Sequence, residues 1–162
     1  MTFEKAGTAE IGQLIELRLA YLAEDGGLCP EDEARIRRDL PGYFERHLND
    51  DLFPFVAWEK DIIVACALLL IAEKPMSPAF INGRTATVLN VYTRPEYRDR
   101  GYARKLMEML MDEAVRREVC RVELKATPKG QNLYRPLGFE DEHSKYRAMC
   151  WRPTLAEDNK GV

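Results

Sequence analysis

Apolar positions along the chain change period several times. Ile11, Leu14, Ile15, Leu19 and Leu22 recur at helical spacing. Thr8 supplies an N-cap for that helix and Glu10 suits its positive start. Gly26-Gly27 ends it. A second helix is expected from Pro30, a residue suited to a first turn, with Glu31, Asp32 and Glu33 behind it. Its apolar side is Ile36, Leu40, Tyr43, Phe44 and Leu48, and Pro41 is expected to break or kink it.

The period then switches to that of strands. Residues 53–59 and 62–73 read as a hairpin around a Lys60-Asp61 turn. A loop follows at 74–84, carrying Pro75, Pro78 and Asn82-Gly83. Thr85 to Tyr92 reads as the next strand. Residues 100–118 form a strong helix, with Ala103, Leu106, Met107, Leu110, Ala114 and Val115 in one stripe. Arg116 and Arg117 stand at its end, where the dipole favours positive charge. A short strand at 121–126 and a short helix at 131–137, stopped by Gly138, come next. Residues 139–141 and 145–151 are expected to pair. Residues 1–152 read as one α/β domain and 153–162 as a polar tail.

Composition adds exclusions. A chain of 162 residues suits one domain with a sizeable core. The formal net charge is -3, from 24 Lys+Arg and 27 Asp+Glu, which argues against a nucleic-acid partner. The longest apolar run, Ile62 to Ala72, is far shorter than the ~20 residues a membrane span needs. Cys29, Cys66, Cys120 and Cys150 are far apart, with no CxxC pair. They are read as buried reduced thiols of a cytoplasmic protein, with no metal site.

The segment from Val88 to Ala103 carries the most chemistry. An apolar strand ends, a turn follows, and a long helix begins at Arg100-Gly101. Arg98-x-x-Gly101-x-Ala103 therefore spans a helix N-terminus. Amides there lack intrahelical acceptors and meet the positive dipole end, an arrangement suited to an anion. Gly101 admits close approach, and Arg98 and Arg100 add charge suited to a diphosphate. Asn90, in mid-strand, is a candidate to hold a water or a substrate amine. No carboxylate or His stands in 86–92, so the general base is open. Glu73, Glu123, His47 and His143 are more readily surface residues, and a water chain is the favoured route for the proton.

Residues 86–110 resemble the central motif of the GNAT superfamily of acyl-CoA-dependent N-acyltransferases: strand, [Arg/Gln]-x-x-Gly-x-[Gly/Ala], helix. Asn132 to Phe139 resembles that family's L-Y-x-x-L-G-F segment, and the element order over 1–151 fits. The resemblance implies a mixed, mostly antiparallel sheet, splayed at its central strands and flanked by helices. It implies acetyl-CoA as acyl donor, with no metal. It implies that Arg98, Asp99, Arg100, Gly101, Tyr102 and Ala103 cradle the pyrophosphate. Leu89, Val91 and Thr93 would lie beside the pantetheine, and Tyr134 would protonate the departing thiolate.

Three positions depart from that pattern, one of them Pro136, which stands where a charged residue is usual and would tighten the short helix. Asp99 stands where Gly is frequent. Thr127 stands where many members carry a cofactor-contacting Asn, and Asn132 is the candidate substitute. The expected activity is transfer of acetyl to a primary amine of a small molecule. That acceptor is expected between residues 21–48 and the loop at 74–84, against Tyr21, Tyr43, Phe44 and Phe80. A non-catalytic acyl-CoA-binding or sensor module and a protein N-acetyltransferase are the alternatives, and a homodimer is left open.

Overall fold

The computed structural model describes residues 1–153. Five strands form one sheet in chain order: β1 Thr2–Lys5, β2 Leu52–Glu59, β3 Ile62–Glu73, β4 Arg84–Thr93 and β5 Arg121–Glu123. The first four are antiparallel neighbours, and β5 joins β4 in parallel. Strand β1 leaves no alternating pattern in the sequence, since Phe3 is its one apolar residue. It forms because its backbone completes the edge of β2, with Phe3 opposite Ala57.

Helices cover both faces. The helices α1 (Ile11–Asp25) and α2 (Pro30–His47) lie on one face. There Leu14, Leu17 and Phe44 pack with Leu52, Val56, Ile63 and Cys66. Helix α3 (Tyr102–Arg116) covers the other, with Leu106, Met107 and Leu110 fully buried against Phe53, Phe55 and Leu69. At ~25 cal/mol per Å² of apolar area removed from water, these two interfaces supply the main drive for the fold. Strand β3, buried on both sides over most of its length, explains the long apolar run.

Several expectations are corrected. Helix α1 is preceded by one tight turn, Thr8–Glu10, and Glu10 rather than Thr8 does the capping: its carboxylate accepts the Gly7 N–H at 2.7 Å. Helix α2 runs unbroken through Pro41. Its last turn is anchored by Phe44, 1% exposed, and the Leu48 N–H still reaches the Phe44 carbonyl at 2.9 Å. Residues 139–141 and 145–151 form no ladder. Arginines hold the acidic arm instead: Arg135 bonds Asp141 at 2.9 Å and Arg121 bonds Glu142. Of the cysteines only Cys66 is buried, and all four are free. Cys29 sits at the N-cap of α2, its sulfur accepting the Asp32 N–H at 3.4 Å. The tail beyond Pro153 lies outside the described residues.

Candidate active site

Strand β4 is irregular on both of its edges. On the β3 side, Cys66 faces Tyr92 and Leu68 faces Leu89, so two residues of β4 oppose one of β3. The extra residue makes a bulge, and Asn90 within it has φ of 50°. On the β5 side, pairing covers only Thr85 to Thr87. From Val88 onward β4 has no strand beside it there, so the sheet splays. Leu89, Val91 and Thr93 lie along this opened stretch.

The strand leads through a single turn, Pro95–Tyr97, into the start of α3. Both Asp99 and Gly101 are left-handed, at φ 61° and 79°. This explains why a residue tolerant of positive φ is needed at 99; Asp is one of the few besides Gly. Among the described residues, the amides of 99 to 104 bond to no carbonyl or side chain. The first bond of the helix is Lys105 N–H to the Gly101 carbonyl, 3.1 Å. The turn thus presents a run of free donors at the positive end of a helix of 15 residues.

The side chains of this turn divide. Arg100 is exposed, donates to the Glu96 carbonyl at 3.0 Å and lies 5.2 Å from the Tyr97 ring centroid. Arg98 folds back toward α1. It donates to the Thr93 carbonyl at 3.0 Å and to the Glu24 carboxylate at 2.6 Å. That ion pair holds the Glu24 carboxyl below the ordinary carboxylate range. Tyr102, expected in the cradle, turns its side chain into the core. It is 4% exposed, stacks edge-on to Phe3 and bonds Glu59 at 2.5 Å. Only its backbone N–H faces the turn. Ala103 keeps the first turn of α3 slim.

Asn90 is also placed otherwise than expected. It is 5% exposed. Its Nδ2 donates to Cys66 Sγ at 3.2 Å, and its Oδ1 accepts from Arg18 Nη1 at 3.2 Å. Both ends of this side chain are therefore engaged within the protein. Burial pushes the Cys66 thiol up to about 12, so it is no nucleophile.

Tyr134 ends the short helix α4, Gln131–Tyr134. It stacks edge-on to Phe139 at 5.9 Å and packs on the α3-side core. Burial, and then the nearby Tyr21, raise its pKa. Its hydroxyl therefore stays protonated through the neutral range. Tyr21, from α1, also meets Tyr92 edge-on at 6.4 Å, so three tyrosines gather beside the bulge. Thr127 acts locally: its hydroxyl accepts the Gly130 N–H at 3.1 Å and shapes the entry to α4. Asn132 is exposed.

The expected acceptor walls are only half assembled. Tyr21 is at the site. Phe44 is core, 1% exposed. The loop at 74–83 lies at the other end of β4, since Glu73 pairs with Arg84. Its Asn82 bonds the Glu118 carbonyl beyond α3 at 2.7 Å, which carries Phe80 away from the bulge. Glu73 is exposed at that far end, and Glu123 pairs with Arg121 at 2.8 Å, so neither serves as a base here. Sequence reading missed Arg18. The signal was present: Arg18 stands four residues from both Leu14 and Leu22, a charge within the apolar stripe of α1. Among the described residues no cluster of three or more His, Cys, Asp or Glu is placed to hold a metal. No described helix is long and apolar enough to cross a membrane.

A splayed mixed sheet with an open-amide turn before α3 defines an acyltransferase-type fold. The sequence pattern of the Acetyltransferase (GNAT) family matches residues 14–139, and the chain belongs to that family. Among solved structures, a predicted acetyltransferase from Clostridium acetobutylicum, with acetyl-CoA, superimposes with a TM-score of 0.81. It is 27% identical, over 92% of this chain and 95% of that one. A GCN5-related N-acetyltransferase from Ralstonia eutropha JMP134 shares the fold, with TM-score 0.76 and 22% identity over 91% and 97% of the two chains. A stretch of 68 residues, 42% of this chain, is 31% identical to GCN5-related N-acetyltransferase 2, chloroplastic, of Arabidopsis thaliana; the match spans only 26% of that protein.

Proposed function

We propose that the chain transfers the acetyl group of acetyl-CoA directly to a primary amine of a small molecule. The observation that carries this reading is the run of unbonded amides at 99 to 104, held open by left-handed Asp99 and Gly101 at the end of a splayed strand. Those amides, with Arg98 and Arg100, hold the pyrophosphate. The acyl donor of the Clostridium acetobutylicum neighbour supports the choice of acetyl-CoA.

The chemistry follows from what β4 leaves free. The pantetheine lies along Leu89, Val91 and Thr93, where β5 no longer pairs. A backbone N–H of that stretch donates to the thioester oxygen as negative charge develops there. The amine nitrogen attacks the carbonyl carbon, and the C–S bond then breaks. Tyr134 gives its proton to the departing thiolate and regains one from water. The proton lost by the amine leaves through water. Asn90 is a positioning residue, setting the bulge through Cys66 and Arg18. Asn132, exposed, serves at most the outer end of the cofactor.

The test is release of the CoA thiol from acetyl-CoA with a panel of small amines. Amine-dependent release is expected. Acetyl-CoA binding with no release for any amine would assign the chain to the non-catalytic class. Acetylation of folded proteins alone would make it a protein N-acetyltransferase.

A further inference from the structure

We infer that the acceptor amine carries a carboxylate, and that Arg18 is the residue that receives it. This rests on the acetyltransferase reading above and names the substrate class of the same site.

Arg18 lies on α1, facing the bulge of β4. Its Nη1 donates to Asn90 Oδ1 at 3.2 Å, and its guanidinium lies 5.6 Å from the Tyr21 ring centroid. The residue is half-buried. Among the described residues it has no ion-pair partner. The acidic residues flanking it along α1 are already matched: Glu16 with Arg37 at 2.5 Å and Glu24 with Arg98 at 2.6 Å. Arg18 is therefore a cation drawn partly out of water with only a neutral amide and a ring face for company. Such a group loses hydration without a compensating charge. A ligand anion supplies that charge.

The position of Arg18 gives the anion a purpose. It is bonded to Asn90, the bulge residue, whose neighbours Leu89 and Val91 flank the thioester path. Asn90 is fixed by its second contact to Cys66, so its oxygen stays aimed at Arg18. A carboxylate on the free edge of the guanidinium, paired through two N–H donors, sets an amine on the adjacent carbon beside the bulge. The simplest compound of that class is an α-amino acid. Tyr21 and Tyr92 supply an aromatic wall for its side chain.

The experiment compares L-phenylalanine, L-phenylalaninamide and phenethylamine, then the common L-amino acids against their amides. Thiol release from acetyl-CoA gives kcat/KM, and calorimetry gives the acetyl-CoA Kd separately. Wild type should favour the carboxylate-bearing amines by about 10–100-fold, as a charged hydrogen-bonded pair supports. Arg18→Gln should erase that preference through KM and leave acetyl-CoA binding intact. Arg18→Lys, which keeps the charge but not the two-donor fork, should retain only part of it, which a purely structural role for the side chain would not require.

Equal or better turnover of the amides overturns the inference, as does a preference that survives in Arg18→Gln. Acetyl-CoA binding with none of these amino acids acetylated also overturns it, while leaving the cofactor site standing. Failure of wild type to bind acetyl-CoA would instead remove the acetyltransferase reading, and this inference with it. Should Arg18→Gln not fold, the wild-type preference and the Lys variant decide.

Discussion

The two ends of β4 offer opposite surroundings. At the Arg84 end lies a cavity of about 930 Å³, whose lining includes Tyr43, His47, Glu73, Arg84 and Arg117. It is roomy and highly charged, yet its arginines are matched by acids. Glu113, 5% exposed, collects Arg116 at 2.5 Å, Arg117 at 2.7 Å and Lys5 at 3.7 Å. Arg84 reaches Glu118 at 3.2 Å and the Arg117 carbonyl at 3.1 Å. At the Thr93 end, among the described residues, donors lack partners: the amides before α3, and the Arg18 guanidinium beyond its bond to Asn90. Chemistry requires groups still free to bond a substrate. The difference teaches that unanswered donors, more than volume, mark the working end.

Removing the proposed proton donor should have the largest effect. Tyr134→Phe is expected to lower kcat by about 10²–10⁴-fold with little change in the acetyl-CoA Kd, since the hydroxyl is needed late in the reaction. The raised pKa of Tyr134 fixes the sign of its pH dependence. The hydroxyl stays protonated below its ordinary value of ~10, so kcat should show no alkaline fall from this group before that pH. Steady-state rates across pH for both proteins check this. Unchanged kcat in Tyr134→Phe would place the acid elsewhere.

Closing the amide run comes next. Gly101→Glu brings a side chain to φ of 79° and a negative charge beside the pyrophosphate. A Cβ there meets no atom within 4 Å, so the fold should survive with backbone strain of roughly 1–2 kcal/mol. Acetyl-CoA affinity should fall about 100-fold, equivalent to ~2.7 kcal/mol. Gly101→Ala separates the two causes, because it carries the strain without the charge. Calorimetry on both variants reads the result, and unaltered affinity in folded Gly101→Glu would move the pyrophosphate from this turn.

The converse variant acts at the far end. Glu113→Ala leaves Arg116, Arg117 and Lys5 without their shared carboxylate, and Arg117 lies 3.8 Å from the Phe53 ring centroid. It should cost about 2 kcal/mol of stability, the scale of buried charged hydrogen bonds, and leave the acetyl-CoA Kd untouched. Burial alone would raise the Glu113 carboxyl, but its bonds to Arg117 and Arg116 and the charge of Lys5 together hold it below its ordinary value. A depressed folded pKa means that its contribution is present above the unfolded value of ~4.3 and fades as pH falls below it. Wild type should therefore lose stability in acid faster than the variant does. Thermal unfolding across pH 3 to 7 gives both quantities.

These contrasts follow what was legible in the sequence. The open-amide turn before α3 could be read because its parts are local: Gly101, Ala103 and two arginines at one strand–helix junction. The core strands could be read because β3 carries an unbroken apolar run. The contacts between α1 and the end of β4 could not, because they are assembled across long separations. Arg18 meets Asn90 over 72 residues and Glu24 meets Arg98 over 74. The loop at 74–83 lands at the opposite end of β4 from the one expected, since strand pairing and not loop composition decides where a hairpin turn falls. Strand β1 escaped notice because backbone pairing, which leaves little sequence pattern, holds it. The expected ladder at 139–151 gave way to ion pairs between arginines and the acidic arm.

The smallest expected effect joins the two sides of the site. Glu24 holds Arg98 at 2.6 Å, so a helix on the acceptor side grips a side chain expected to meet the pyrophosphate. The pair is half exposed, at 39% for Arg98 and 50% for Glu24, and exposed pairs contribute only about 0.2–1 kcal/mol. Binding of a diphosphate competes for Arg98 and brings more negative charge near Glu24. Glu24→Gln removes both costs, so acetyl-CoA should bind about 1.5–5-fold more tightly. The gain should shrink as salt rises, because screening over ~10 Å at 0.1 M weakens exposed charges. It should also shrink in acid, where Glu24 loses its charge only below the ordinary carboxylate range. Calorimetric titration of wild type and Glu24→Gln at two salt concentrations measures it. Weaker binding in Glu24→Gln would reverse the picture: the carboxylate would then be holding Arg98 in the orientation the pyrophosphate needs.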